Sequence, residues 1–125
     1  MIVLDASALL AFLFREAGHD RVAEAVSASC ISTVNLSEVI GRFARDGHDP
    51  EQVLARIEAS PIQLVPFLAP DAALAGSLVP ATLPLGLSLG DRACLALAMV
   101  RRVPALTADR AWSSLDLPVR VQLIR

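Results

Sequence analysis

The sequence predicts an α/β domain, a five-stranded parallel sheet flanked by helices on both faces. Short apolar runs alternate with segments of helical periodicity along the whole chain. Strands separated by helices need crossover connections and therefore lie parallel, and 125 residues suit one domain, 1–125.

Ile-Val-Leu after Met1 is uniformly apolar, as expected of a strand covered on both faces, and Ser7 to Glu16 reads as a helix apolar nearly all round. Asp20 is a good N-cap for a second helix to about Ser29, with Val22, Ala25 and Val26 on one face. Cys30 to Val34 is the second strand. Asn35 to Arg45 places Leu36, Val39, Ile40 and Phe43 at helical spacing. Asp49-Pro50-Glu51-Gln52 combines a capping Asp, Pro at the first helical position and Gln three residues after the cap, and Ser60-Pro61 ends that helix. Ile62 to Phe67 supplies a third strand. Pro70-Asp71-Ala72 opens a helix to about Val79, after which Pro80, Pro84 and Gly86 break the pattern. Ser88 to Asp91 resembles a capping box with Asp in place of Glu and leads into a helix from Arg92 to Arg101. Val103 to Leu106, a helical turn from Asp109 to Ser114, and a strand from Val119 to Ile124 complete the pattern.

Composition narrows the function classes. The hydrophobic fraction of 54% is slightly above the usual range, and the first helix carries more apolar surface than one sheet face covers, so a contact with another chain is expected. No apolar run approaches the roughly 20 residues of a spanning helix. Residues Met1 to Asp5 lack a signal peptide's basic start and cleavage site, which favours a cytoplasmic protein, away from membranes. Cys30 and Cys94 lie in apolar stretches without CxxC spacing, as buried reduced thiols do. Thirteen acids against eleven arginines leave a net charge of −2, so bulk charge gives no reason to bind nucleic acid.

The informative signal is where the acids fall. In an open parallel sheet the site lies beyond the carboxyl ends of the strands. Asp5 ends the first strand, Glu38 lies in the first turn after the second, Asp109 follows the fourth, and Asp91 starts the helix that runs antiparallel to that strand. Each alone reads better as a cap for free backbone N–H groups. Four carboxylates on one rim repel, however, and a divalent cation is the simplest way to hold them. Oxygen ligands suit Mg²⁺ or Mn²⁺, and such an ion meets phosphate oxygens, so phosphodiester hydrolysis is the natural chemistry with one ion or two. His19 and His48 have no ligand spacing, and there is no GxxxxGK[ST] or GxGxxG loop.

Read in order, Ile2-Val-Leu-Asp5-Ala-Ser7-Ala, Leu36-Ser-Glu38-Val, Leu89-Gly-Asp91-Arg92-Ala-Cys-Leu-Ala-Leu-Ala98 and Leu106-Thr-Ala-Asp109-Arg-Ala-Trp112 resemble the motifs of the PIN-domain nucleases, and most closely the VapC toxins. That resemblance spans essentially the whole chain. It implies a PIN fold, Mg²⁺- or Mn²⁺-dependent endoribonuclease activity, control by a cognate VapB-type antitoxin, and a homodimer. It carries Asp5, Glu38, Asp91 and Asp109 over as the acidic quartet, the three Asp as main metal ligands with Glu38 completing the site or holding a water. Ser7 and Thr107 stand one step from the acids, where their hydroxyls would orient a carboxylate or water, although Ser7 also reads as an N-cap. Arg92 and Arg110 directly follow two of the acids and are candidates for phosphate contact, with surface exposure the even alternative; Trp112 reads as a packing anchor. Two rival readings are a structure-specific DNA nuclease, which lacks the added basic elements it needs to grip duplex, and a catalytically silent module that docks RNA or protein on the rim.

Overall fold

The computed structural model describes all residues from Met1 to Arg125. Five strands, β1 (Ile2–Leu4), β2 (Ser29–Ser32), β3 (Gln63–Val65), β4 (Ala105–Thr107) and β5 (Val121–Leu123), form one parallel sheet in the order β3-β2-β1-β4-β5. The alternation read from the sequence is therefore present, with β2 starting one residue earlier and β4 ending one residue later than the runs expected for them.

Seven helices cover the sheet: α1 (Ala6–Leu13), α2 (His19–Ala25), α3 (Thr33–Arg45), α4 (Pro50–Glu58), α5 (Ala69–Ser77), α6 (Val79–Thr82) and α7 (Leu89–Arg101). Alternate strand residues enter two separate cores. Leu4, Ile31 and Leu106 pack with residues of α1 to α4, whereas Val3, Cys30 and Ala105 pack with α5, α7 and Trp112. Burial on both faces explains the uninterrupted apolar character of β1. Cys30 and Cys94 are buried free thiols in the second core, and Trp112 is a buried packing anchor.

Several boundaries differ from the sequence reading. Asp5, not Ser7, is the N-cap of α1, and the helix stops at Leu13 because Arg15 turns into the left-handed region, φ 54°. Glu16 N–H then reaches back to the Ala11 carbonyl at 2.8 Å, a Schellman closure. Gly18, with φ 91°, starts α2, so Asp20 lies inside its first turn and not at its cap. Strand β2 ends early because the Ser32 hydroxyl caps α3, accepting from Val34 N–H. Glu38 consequently lies in the second turn of α3, one turn later than expected. Pro80 does not interrupt but sits in the first turn of the short α6, where its missing N–H costs nothing.

The apolar surface of α1 is partly accounted for within the chain. Ala6, Ala8, Leu9 and Ala11 are buried, and Phe14 stacks on Phe43 at 5.0 Å with the Arg42 guanidinium 4.9 Å from its ring centre, leaving Leu13 and Phe14 on a half-open edge. No helix is long and apolar enough to cross a membrane.

What the fold does for the site follows from strand order. The chain builds outward from β1 through β2 to β3, then returns to the other side of β1 for β4 and β5. The direction of winding reverses between β1 and β4, and the crevice at the carboxyl ends of those strands is where ligands of open α/β sheets bind.

Candidate functional site

Asp5 stands at that crevice. The register that pairs Val3 with Ala105 and Leu4 with Leu106 continues through Asp5 N–H, which donates to the Leu106 carbonyl at 2.9 Å. This alignment brings the Thr107 hydroxyl to Asp5 Oδ2 at 2.9 Å, and Ser7, one step into α1, donates to the same oxygen at 2.6 Å. Ser7 also accepts from Ala108 N–H at 3.0 Å, and Thr107 accepts from Asp109 N–H at 3.1 Å. Two hydroxyls therefore tie the start of α1 to the loop after β4. Ser7 is not a cap; it and Thr107 hold Asp5.

The capping explanation separates the four acids. Asp5 makes no side-chain cap bond although it occupies the N-cap position, and Glu38 lies too far into α3 to cap it. Asp91 accepts from Ser88 N–H at 2.8 Å in a reciprocal capping box, and Asp109 accepts from Ala111 N–H at 3.0 Å. So capping applies to two acids and fails for two. In each carboxylate the hydrogen bonds fall on a single oxygen: Asp5 Oδ2, Glu38 Oε1, Asp91 Oδ2 and Asp109 Oδ1. The other oxygen is left without a protein donor, and Asp5 Oδ1 is not sealed among the buried, partnerless side-chain atoms.

The electrostatics identify the crowded part of the rim. Asp5 is 4% exposed, and burial raises its carboxyl from 3.8 to about 6; the Ser7 and Thr107 bonds oppose the rise, and the charges of Asp91 and Glu38 add to it. Burial against the neighbouring helix also raises Glu38, opposed by a bond from Asn35 and aided by Asp91. Asp5, Glu38 and Asp91 thus feel one another as like charges, whereas Asp109, more exposed, is not among the charges that lift Asp5.

No three His, Cys, Asp or Glu side chains form a group that could hold one ion. The free N–H groups of the nearest helix starts hold Asp91 and Asp109 toward their own caps. The donor chemistry nevertheless fits a hard divalent cation, since every acid offers an unengaged carboxylate oxygen.

Arg92 and Arg110 behave differently from each other. Arg92 Nη1 donates to the Leu87 carbonyl at 3.0 Å, so it braces the loop before α7. Arg110 is exposed beside Asp109.

Two residues unremarked in the sequence prove to shape the rim. Asn35, fully buried, donates Nδ2 to Glu38 Oε1 and to the Gly90 carbonyl, both at 2.9 Å. A Cβ at Gly90 would overlap both carboxylate oxygens of Glu38, so a side chain there would displace that carboxylate. Their signals were present: an Asn three residues before an acid on a helix shares its face, and a Gly in the first turn of an Ala- and Leu-rich helix marks a close approach.

The family model of the PIN domain matches residues 2–117. No curated protein sequence matches the chain. Among solved structures, the DNA-bound VapBC from Salmonella typhimurium aligns with a TM-score of 0.72 at 20% identity, covering 99% of this chain and 98% of that one. FitAcB from Neisseria gonorrhoeae aligns at 0.71 and 21%, with 99% and 98% covered. VapBC-5 from Mycobacterium tuberculosis, of the VapBC family of toxin-antitoxin systems, aligns at 0.61 and 23%, with 98% and 96% covered. The sheet order, the rim of acids beyond β1 and β4 and the family match over nearly the whole sequence lead to one conclusion: this chain belongs to the PIN domain family.

Proposed function

We propose that the chain, acting as a single domain over residues 1–125, is an Mg²⁺- or Mn²⁺-dependent endoribonuclease and the toxin of a type II toxin-antitoxin pair. The observation that carries the chemistry is Asp5: a buried carboxylate, not used as a cap, held through one oxygen by two hydroxyls and crowded by Asp91 and Glu38. An acid in that position is costly as a free anion, and its raised proton affinity is the mark of a group awaiting a positive charge.

Asp5, Asp91 and Asp109 would hold the cation, with Glu38 completing the set. A divalent cation supplies Lewis acidity toward a phosphoryl oxygen and lowers the pKa of water. Ser7 and Thr107 contribute by fixing Asp5 Oδ2, which leaves Oδ1 as the oxygen directed at the reaction. Glu38, on the more open side of the rim, orients or accepts a proton from the attacking water. Arg110 is the candidate for phosphate contact.

The toxin reading is supported by family membership and by the company of the fold, since like-folded chains include VapBC and FitAcB proteins and a toxin-antitoxin complex from Klebsiella pneumoniae. We infer a cytoplasmic homodimer that binds a VapB-type antitoxin, the half-open Leu13 and Phe14 edge of α1 lying on the antitoxin side.

Cleavage of total RNA by purified protein with Mg²⁺, Mn²⁺ or EDTA, beside Asp5→Ala, tests this directly. Discrete metal-dependent cuts, absent from the variant and leaving 5′-phosphate and 3′-hydroxyl ends, are expected. Cleavage that persists in EDTA would sink the metal mechanism. Cleavage of structured DNA alone would transfer the reading to a DNA nuclease, and no turnover on either would leave a binding module.

A further inference from the structure

We propose that Asn35 is a positioning residue that sets the spacing between Glu38 and Asp91, an inference that rests on the metal-dependent reading of the rim. Three independent features meet at this side chain. Its Nδ2 donates at 2.9 Å to Glu38 Oε1 on its own helix and at 2.9 Å to the carbonyl of Gly90, the residue immediately before Asp91 on α7. It is wholly buried where α3 meets α7, yet its Oδ1 has no partner. Opposite it, Gly90 is bare of any Cβ because the Glu38 carboxylate lies against its backbone.

The partnerless Oδ1 is what makes the case. A buried amide with an unmet acceptor is a poor way to stabilise a helix contact, and an apolar residue of similar volume would pack there without that penalty. What an apolar residue lacks is a donor that reaches two helices at once. One NH₂ group grips the carboxylate of one rim acid and the backbone next to the other. Gly90 closes the seat from the far side, so Glu38 is confined between an amide donor and a glycine backbone. The Glu38 carboxylate is thereby held through Oε1 against the start of α7, one residue from Asp91, with Oε2 free of any protein donor. Loss of either wall releases Glu38, and loss of Asn35 also frees the first turn of α7.

The test is a double-mutant cycle on the full chain, read by calorimetric Mn²⁺ binding and, separately, by kcat and KM for RNA cleavage. Asn35→Ala is expected to weaken Mn²⁺ binding and lower kcat by about 10- to 100-fold, the range for partners that orient a ligand, with little change in KM. On a Glu38→Ala background the same change should cost almost nothing more, since Asn35 acts through that carboxylate. If Asn35→Ala does not fold, as judged by its melting transition, Gly90→Ala carries the test. It leaves the amide intact, removes an unfavourable helical glycine, displaces Glu38, and should give the same loss, again absent on the Glu38→Ala background. A full loss for Asn35→Ala or Gly90→Ala when Glu38 is already alanine would overturn the positioning role alone. Undiminished Mn²⁺ binding in Asp5→Ala and Glu38→Ala would overturn the reading of the rim, and this inference with it.

Discussion

Replacing Asp5 by Asn should make the metal-free protein more stable while abolishing its proposed activity. Asp5 is 4% exposed, and its carboxyl is raised from 3.8 to about 6 by burial, with Asp91 and Glu38 adding to the effect. A raised acid binds its proton more tightly in the folded chain than in the unfolded one. Stability therefore falls as pH rises through the window from 3.8 to about 6, and the full penalty applies above it. The shift corresponds to about 3 kcal/mol at pH 7.5, about 1.5 kcal/mol at pH 5 and less than about 1 kcal/mol at pH 4. Asn has nearly the same shape, and its carbonyl oxygen accepts from Ser7 and Thr107 as Oδ2 does, so the hydroxyl network survives. In EDTA at pH 7.5 the Asn variant should melt up to roughly 10 °C above the parent, with the gap closing as pH falls. Saturating Mn²⁺ should raise the parent by about 3 kcal/mol at a hundredfold excess over Kd and leave the variant nearly unmoved. A variant no more stable than the parent in EDTA at pH 7.5, or a gap that widens in acid, would refute the electrostatic account of Asp5.

Asp109→Asn keeps an oxygen for Ala111 N–H and should melt within a few degrees of the parent, whereas Asp109→Ala should lose about 1 kcal/mol of cap stability; RNA cleavage should disappear in both, which separates the two duties of that side chain. Gly18→Ala should destabilise by more than about 2 kcal/mol in chemical denaturation, because φ is 91° and the new Cβ would lie 2.5 Å from the Ile124 carbonyl oxygen. The two arginines should divide cleanly: Arg92→Ala should lower the melting temperature with RNA KM unchanged, and Arg110→Ala should raise KM with the melting temperature unchanged.

What could be read from the sequence was set by local rules. The Asp49 cap with Pro50 and the Ser88–Asp91 capping box both form as their residues dictate, because a cap is decided within four residues. Strand identities emerged from apolar runs, and the rim from the rule that places sites beyond the carboxyl ends of strands. The boundaries that moved depend on partners distant in sequence or on unusual backbone. Arg15 adopts a left-handed conformation that nothing in its residue type announces, and Gly18 starts α2 against Ile124. At the site the acids were legible by residue type and position. Their orientations were not, since Asp91 and Asp109 turn toward caps while Asp5 is gripped by a hydroxyl from a strand that pairs only in the folded sheet. Asn35 escaped for the same reason: one of its two acceptors is close in sequence and the other lies on a different helix.

The contact between Asp5 and Thr107 spans 102 positions, and it joins the first strand to the fourth at the middle of the sheet. Closing so long a loop costs entropy before its contacts repay it, so pairing of β1 with β4 is expected to come late in folding. Asp109 is fixed through the backbone beside that contact, and Asp91 through the helix leading into β4. A half-folded chain consequently carries four unrelated acidic side chains and no rim. On the proposed reading the metal rim would be complete only once the central strands have paired, and a chain caught before that pairing would lack it.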